Sequence, residues 1–231
     1  MKTIGMIGGM SWESSLEYYR ILNQTVHARL GGLHSARCIL TSVDFAEIEV
    51  LQREGRWEES GQRMAEAAAS LERAGADCVI LCTNTMHKLV DDIQAAIQIP
   101  FLHIADATAE RVKAAGVQRI GLLGTRFTME EDFYRGRLEQ LHQLTVLTPP
   151  PAQREIVHRV IYDELCLGLI HEESRAAYRE IIADLAAAGA QGILLGCTEI
   201  ELLVRPEDSP LPLFPTTRIH AEAAVDWALT A

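Results

Sequence analysis

The chain is poor in cysteine and aromatic residues, and it has no long apolar run and no basic run. Its five cysteines (Cys38, Cys78, Cys82, Cys166 and Cys197) form an odd set, and none share CxxC spacing. Disulfide frameworks and zinc sites are built from pairs, so the thiols read as reduced and no metal is expected. No stretch approaches the roughly 18 to 20 apolar residues of a membrane span. Met1-Lys2-Thr3-Ile4-Gly5 enters a strand without the apolar stretch and small-residue cleavage site of a signal peptide. A cytoplasmic protein without a membrane partner is the expectation. The formal charge is −11, which speaks against nucleic acid or an anionic surface as partner. An anionic substrate would have to be held by local donors rather than by the overall field. Gly8-Gly9 is not a dinucleotide fingerprint, because Ser11 and Trp12 stand where the third glycine would be needed.

What is present is ordinary globular material: 231 residues, 48% hydrophobic and 23% charged, enough for one large domain or two small ones. Short apolar strands alternate with amphipathic helices. Thr3 to Ile7 reads as a buried strand. A helix follows from about Ser11, with Tyr19, Leu22, Val26 and Leu30 at helical spacing on its inward face. Met64, Ala68 and Leu71 belong to another helix that stops at Gly75, and Cys78 to Leu81 is the next strand. In the second half, Arg119 to Leu123 is a strand. Thr128 and Glu131 suggest a capping box for a helix carrying Phe133, Leu138 and Leu141. Ser174 suits the start of a helix with Tyr178, Ile182 and Leu185 inward, stopped by Gly189, before the strand Ile193 to Leu195. This order predicts an α/β protein with parallel sheets covered on both faces.

The halves read as copies. Ile4-Gly5-Met6-Ile7-Gly8 aligns with Ile120-Gly121-Leu122-Leu123-Gly124, and Gly75 to Thr83 aligns with Gly189 to Cys197. Pro100-Phe101-Leu102 aligns with Pro212-Leu213-Phe214. The offsets are 116, 114 and 112 residues, in order. Two pseudo-symmetric lobes follow as an expectation: 1–97 with 210–231, and 98–209, each a parallel sheet flanked by helices, with the active site in the interlobe cleft.

Parallel sheets bind ligands at the carboxyl ends of their strands. The strand-end segments are Gly8-Gly9-Met10-Ser11, Cys82-Thr83-Asn84-Thr85, Gly124-Thr125-Arg126 and Gly196-Cys197-Thr198-Glu199. Thr83 and Cys197 occupy equivalent places in the repeat, as suits work on two faces of one carbon. A thiol before a helix N-terminus is expected to have its thiolate favoured by free N–H groups and the dipole. Asn84, Thr85 and Thr198 supply small donors for an amino-acid carboxylate, joined from loop position by Met10, Ser11, Gln52 and Thr125. Inversion at an α-carbon needs a base on one face and an acid on the other. Cys197 suits the first role; Thr83 could donate a proton but is a poor base. Duller roles are open for several of these. Ser11 and Thr85 suit N-caps, His87 a loop support, and Cys38, Cys78 and Cys166 core filling.

These residues resemble the aspartate/glutamate racemases. That family carries Cys-Asn-Thr-Ala-His and Gly-Cys-Thr-Glu at its two strand ends. Here the matching segments are Thr83-Asn84-Thr85-Met86-His87 and Gly196-Cys197-Thr198-Glu199-Ile200, together with the opening Ile4 to Met10. The Gly-Cys-Thr-Glu form is more similar to the aspartate racemase branch. The resemblance implies two α/β lobes, a homodimer, no pyridoxal phosphate or other cofactor, and two opposed cysteines as acid and base. Three departures stand out. Thr83 replaces the first cysteine, which implies a one-way variant that takes L-amino acids toward D. The stretch Ser42 to Gln52 lacks the arginine that grips a side-chain carboxylate and offers Glu47 instead. Cys166 replaces a basic residue two places before Gly168. L-Aspartate, L-glutamate or a related L-amino acid is the implied substrate, with Arg53, Arg56 or Arg126 as compensating cations. Two other functions fit a single thiol: a malonate-type decarboxylase, and an amino-acid-binding protein without catalysis.

Overall fold

A computed structural model describes residues 1–230. The chain divides into two compact units, the first made of Met1–Ile104 and the stretch from His220 onward, the second of Ala105–Ile219. Among the described residues no helix is long and apolar enough to cross a membrane.

In the first unit, β1 (Ile4–Gly8), β2 (Cys38–Ser42) and β3 (Cys78–Leu81) form a parallel sheet in the order β2-β1-β3, with Ile4 in register with both Cys38 and Cys78. Around it run α1 (Trp12–Leu30), α2 (Phe45–Arg53), α3 (Trp57–Arg73), a 3-10 turn (Thr85–Leu89) and α4 (Val90–Ala95). Both sheet faces are covered, which is why β1 and β3 read as unbroken apolar runs. Strand alternation sorts the side chains between two cores. Ile4, Met6, Cys78, Ile80 and Cys82 pack with Tyr18, Ile21, Leu22 and Val26 of α1 and with Ala221 to Ala228. Ile7, Val79 and Leu81 pack with Met64, Ala68 and Leu71 of α3 and with Met86.

The inward face of α1 differs from the expectation. Leu22 and Val26 are buried, but Tyr19 and Leu30 are 53% and 45% exposed, and Tyr18 and Ile21 take their places. Both choices keep helical spacing through Leu22 and Val26. The period alone does not set the rotation of the helix about its axis.

The second unit begins within α5 (Ile104–Ala114) and holds β4 (Arg119–Gly124), β5 (Thr145–Leu147), β6 (Gly192–Gly196) and β7 (Leu213–Pro215), all parallel in the order β5-β4-β6-β7. Its helices are α6 (Arg126–Glu130), α7 (Asp132–Gln140), α8 (Pro151–Asp163), α9 (Glu172–Ala187) and α10 (Ile200–Leu203), and α11 (Thr216–Leu229) starts here. The expected capping box is not formed. Thr128 lies inside α6, Thr125 is the N-cap that accepts its N–H, and Glu131 is the N-cap of α7 without a side-chain cap bond. Ser174 lies one turn into α9 and donates to Glu164 instead of capping. Leu141 is exposed.

The internal repeat is present in the bonding pattern. The Asp77 N–H donates to the Thr3 carbonyl and the Gln191 N–H to the Arg119 carbonyl, both at 2.8 Å. The Asp77 carboxylate accepts from the Thr3 N–H, while the Gln191 side-chain oxygen accepts from Gln118 and Arg119. Phe101 makes a parallel bridge to Val79, as Leu213 of β7 pairs with Ile193 of β6. That pairing puts β7 in the second sheet, so the division falls at Ile104 and His220, whereas the sequence expectation placed 98–104 and 210–219 on the other sides.

Candidate active site

In the first unit the candidate residues gather at the carboxyl ends of the strands. The chain leaves β1 through Gly9, whose φ of +96° and close approach to the Val43 backbone exclude a side chain. Ser11 is the N-cap of α1 and accepts the Ser14 N–H at 3.3 Å. Ser15 Oγ accepts the Gly9 N–H at 2.8 Å and donates to the Ser11 carbonyl, so the turn holding Met10 and Ser11 is tied at both ends. Ser11 therefore performs the cap role that its residue type suggested.

At the end of β3 the last ladder bond runs from the Cys82 N–H to the Ile7 carbonyl at 2.9 Å. Alternation sends Cys82 into the core beneath α1, where burial pushes its thiol far above the ordinary range. Thr83 follows outside the strand. From Cys78 to His87 it is the one residue that is partly exposed; all nine others are buried. Asn84, Thr85, Met86 and His87 turn back beneath it in the 3-10 segment. Gln52, buried on α2, donates its amide to Met86 Sδ at 2.9 Å. A thioether is a weak acceptor, so a ligand oxygen would be the stronger partner for this amide. Met10, Ser11, Thr83, Asn84 and Thr85 thus belong to the strand-end loops of one unit, and Gln52 reaches the Thr83 turn from α2.

The second unit repeats the arrangement. From Gly192 to Ile200 every residue is buried except Cys197, which is partly exposed. Gly196 makes this strand end possible, because a Cβ there would press within 2.9 Å of the Leu123 carbonyl. The Thr198 hydroxyl accepts from Thr217 at 2.9 Å, and Thr216 donates to the Leu195 carbonyl at 2.8 Å, both from the start of α11. Thr125 caps α6, its hydroxyl 3.1 Å from that of Thr128.

The state of Cys197 corrects the sequence expectation. Its thiol donates to Glu199 Oε2 at 2.9 Å. Burial, then the charge of Glu199, then Cys166 push its pKa well above the ordinary thiol value. The resting form is a thiol rather than a favoured thiolate. The helix that follows, α10, is only four residues long, and a single turn supplies little dipole against a carboxylate in contact. Glu199 is the partner that sequence reasoning passed over. Its signal was present, since the Gly-Cys-Thr-Glu turn returns a carboxylate to the sulfur after two residues.

The expected cations are mostly engaged on the surface. Arg56 is held by Glu54 and Glu59, Arg53 lies 3.9 Å from Glu49, and Glu47 pairs with Arg63. Arg126 opens α6 beside Thr125, is half-exposed and has Glu155 at 3.9 Å. Cys166 lies in a 3-10 turn (Leu165–Leu167) that ends at Gly168 in the left-handed region.

The sequence from residue 7 to 224 matches the family model described as Asp/Glu/Hydantoin racemase. A candidate Asp/Glu racemase from Yersinia pestis has a crystal structure similar over 100% of both chains, with 59% identity and a TM-score of 0.94. An aspartate racemase homologue from Pyrococcus horikoshii OT3 is 33% identical over 100% of both chains, with a TM-score of 0.86. The broad specificity amino-acid racemase of Bacillus subtilis (strain 168) is 22% identical over 74% of each chain.

Proposed function

The chain belongs to the Asp/Glu/Hydantoin racemase family, and from that premise we propose that it racemises an amino acid by proton transfer at the α-carbon, with Cys197 and Thr83 as the acid/base pair. The observation that carries this reading is the exposure pattern. Two repeat-equivalent strand ends each open one residue to solvent within a buried run, and those residues are Thr83 and Cys197. The reading requires that the two address opposite faces of one substrate carbon.

The thiol must first lose its proton. Glu199, in contact with the sulfur, accepts it, and the thiolate then takes the α-proton of the L-enantiomer, becoming a thiol again. In this reading the carbanion is delocalised into the substrate carboxylate, for which N–H groups and hydroxyls of Asn84, Thr85, Thr125 and Thr198 are the proposed donors. Return of the proton from Cys197 regenerates L. Donation from the Thr83 hydroxyl on the other face gives D and leaves an alkoxide that draws a proton from water, and the hydroxide so formed is neutralised by the proton that Glu199 took from the thiol, which restores the starting state. The steps use side chains of this chain, the substrate proton and water, so neither pyridoxal phosphate nor a metal is invoked.

An alcohol is far harder to ionise than a thiol, so the Thr83 branch is the slow one. Enantiomers have equal free energy, and kcat/KM must therefore match in the two directions. The asymmetry lies in exchange. L-Substrate exchanges its α-proton with solvent through Cys197 much faster than it inverts, whereas D-substrate exchanges no faster than it inverts. This replaces simple one-way conversion as the signature of a threonine in the first position. The substrate side of the proposal is an L-amino acid with a small acidic or neutral side chain. Arg126, which follows the N-cap Thr125 at a strand end, is the cation proposed for an acidic one, while Arg56 is committed to Glu54 and Glu59.

The test is incubation of the protein with a panel of L- and D-amino acids in deuterated water, followed by NMR, with Cys197→Ala alongside. Rapid exchange of L-forms, slower inversion and silence in the variant are expected. Absence of exchange with every amino acid would overturn the reading, and CO2 release from a substituted malonate would put a decarboxylase in its place.

A further inference from the structure

The first unit buries three imidazoles that the proton transfers do not use. His87, His103 and His220 are all 5% exposed or less. The His87 and His103 ring centroids lie 4.6 Å apart, and those of His87 and His220 lie 5.9 Å apart. A buried imidazole is tolerated when both nitrogens have partners, and for His87 and His220 the partners define the tautomers. His87 Nδ1 is 2.8 Å from the Thr83 carbonyl, which can only accept, so Nδ1 carries the hydrogen. The Ile104 N–H donates to His87 Nε2 at 3.2 Å, so that nitrogen keeps its lone pair. His220 is held the opposite way. Its Nε2 donates to the Leu102 carbonyl at 2.8 Å, and its Nδ1 accepts the Tyr18 hydroxyl at 2.8 Å. The segment Phe101 to Ile104 is thereby tied to His220 at Leu102 and to His87 at Ile104, and it is bridged to β3 at Val79.

Thr83 is the first residue beyond the β1–β3 ladder, whose last bond is made at Cys82. Nothing in the sheet therefore fixes the peptide plane between Thr83 and Asn84. The bond from His87 holds the carbonyl of that plane. An apolar residue would fill the same volume without polar atoms to satisfy; what imidazole adds is the pair of bonds to Thr83 and Ile104.

We propose that His87 is the positioning residue for Thr83: locked as the neutral Nδ1–H tautomer, it grips the Thr83 carbonyl, references it to the Ile104 N–H, and thereby aims the Thr83 hydroxyl for proton delivery. The inference rests on Thr83 being the second acid/base of the racemase reading. Burial first, and then the neighbouring His103 and His220, oppose protonation of His87, so the grip persists across the neutral range.

The experiment has two arms. Nitrogen-15 NMR of the imidazole-labelled full chain, with His87 assigned by comparison with His87→Asn, is expected to show a protonated Nδ1, a bare Nε2 and no titration between about pH 5.5 and 8. The second arm compares inversion with L-exchange in His87→Leu and His87→Asn. The asparagine amide can occupy the Nδ1 position and donate to the Thr83 carbonyl, whereas leucine cannot. His87→Leu is expected to lose inversion by roughly tenfold to a hundredfold, the scale of misplacing one reacting group, while L-exchange through Cys197 holds. His87→Asn restores most of it. An Nε2–H tautomer, a titrating His87, parallel loss of both activities, or no rescue by asparagine would each overturn the positioning role alone. Wild-type protein that exchanges no amino acid would overturn the racemase reading and this role together.

Discussion

The Cys197 sulfur and the Glu199 carboxylate lie 2.9 Å apart, with the thiol as donor. The thiol thus rests protonated with a proton acceptor in contact.

Replacing that acceptor separates two properties of the sulfur. Glu199→Gln removes the carboxylate charge that helps to push the thiol pKa up. The pH midpoint for alkylation of Cys197 by iodoacetamide should fall relative to wild type, in which the sulfur stays a thiol through the neutral range. Proton transfer to the amide is impossible, so L-exchange should drop by about 10²-fold or more. A variant that alkylates at lower pH and exchanges as well as wild type would show that Glu199 only sets the resting state.

Thr83→Cys puts an ionisable group where the hydroxyl was. Exchange of D-substrate and inversion in both directions should rise by about tenfold or more, with L-exchange nearly unchanged. Thr83→Ala should keep L-exchange and lose inversion. Both are read in the same deuterium assay, by chiral chromatography for inversion and NMR for exchange.

Gln52 is read as a substrate donor whose present partner is the Met86 thioether at 2.9 Å. Gln52→Leu should raise KM for an L-substrate about tenfold with little change in kcat, the worth of one hydrogen bond to a charged group. A fall in kcat at unchanged KM would assign the residue to the packing of the Thr83 turn instead.

Asp208 concerns stability. Its buried carboxylate accepts from Arg179 Nε at 2.6 Å and from the Arg205 N–H at 2.8 Å, while Arg175 donates to the Leu203 carbonyl at the end of α10. Together they clamp the segment after Cys197 onto α9. Asp208→Ala leaves the Arg205 N–H without this acceptor and loses the ion pair with Arg179, and should cost about 3 kcal/mol in chemical denaturation. An unchanged midpoint would mean that the clamp contributes nothing net.

Much of this was legible from residues alone. Gly5, Gly75 and the apolar strands identify the first sheet, and their echoes at Gly121, Gly189 and Ile193 identify the second. Parallel strands covered on both faces must be apolar throughout, and that pattern needs no partner to be read. The strand-end positions of Thr83 and Cys197 followed from the same logic, because a repeat aligns its loops as well as its strands. Ser11 and Thr125 were placed at strand ends correctly, while their work as N-caps became definite only with the backbone turned beneath them.

Other features are beyond any one-dimensional pattern. Tyr18 rather than Tyr19 is inward because the sheet beneath α1 sets the helix rotation, and two faces of one helix can share Leu22 and Val26. The protonation of Cys197 is set first by the burial of its sulfur and then by how the chain folds Glu199 back onto it. A carboxylate two residues away in sequence becomes a repulsive charge at contact, and it outweighs a one-turn helix dipole. The tautomer of His87 depends on Ile104, seventeen positions along the chain. The sequence by itself determined which residues are apolar, small or ionisable, and at what period they recur, because those properties are local. Only the tertiary structure decided which polar atoms meet in the buried interior, because electrostatics and hydrogen bonding depend on distances that chain separation does not set.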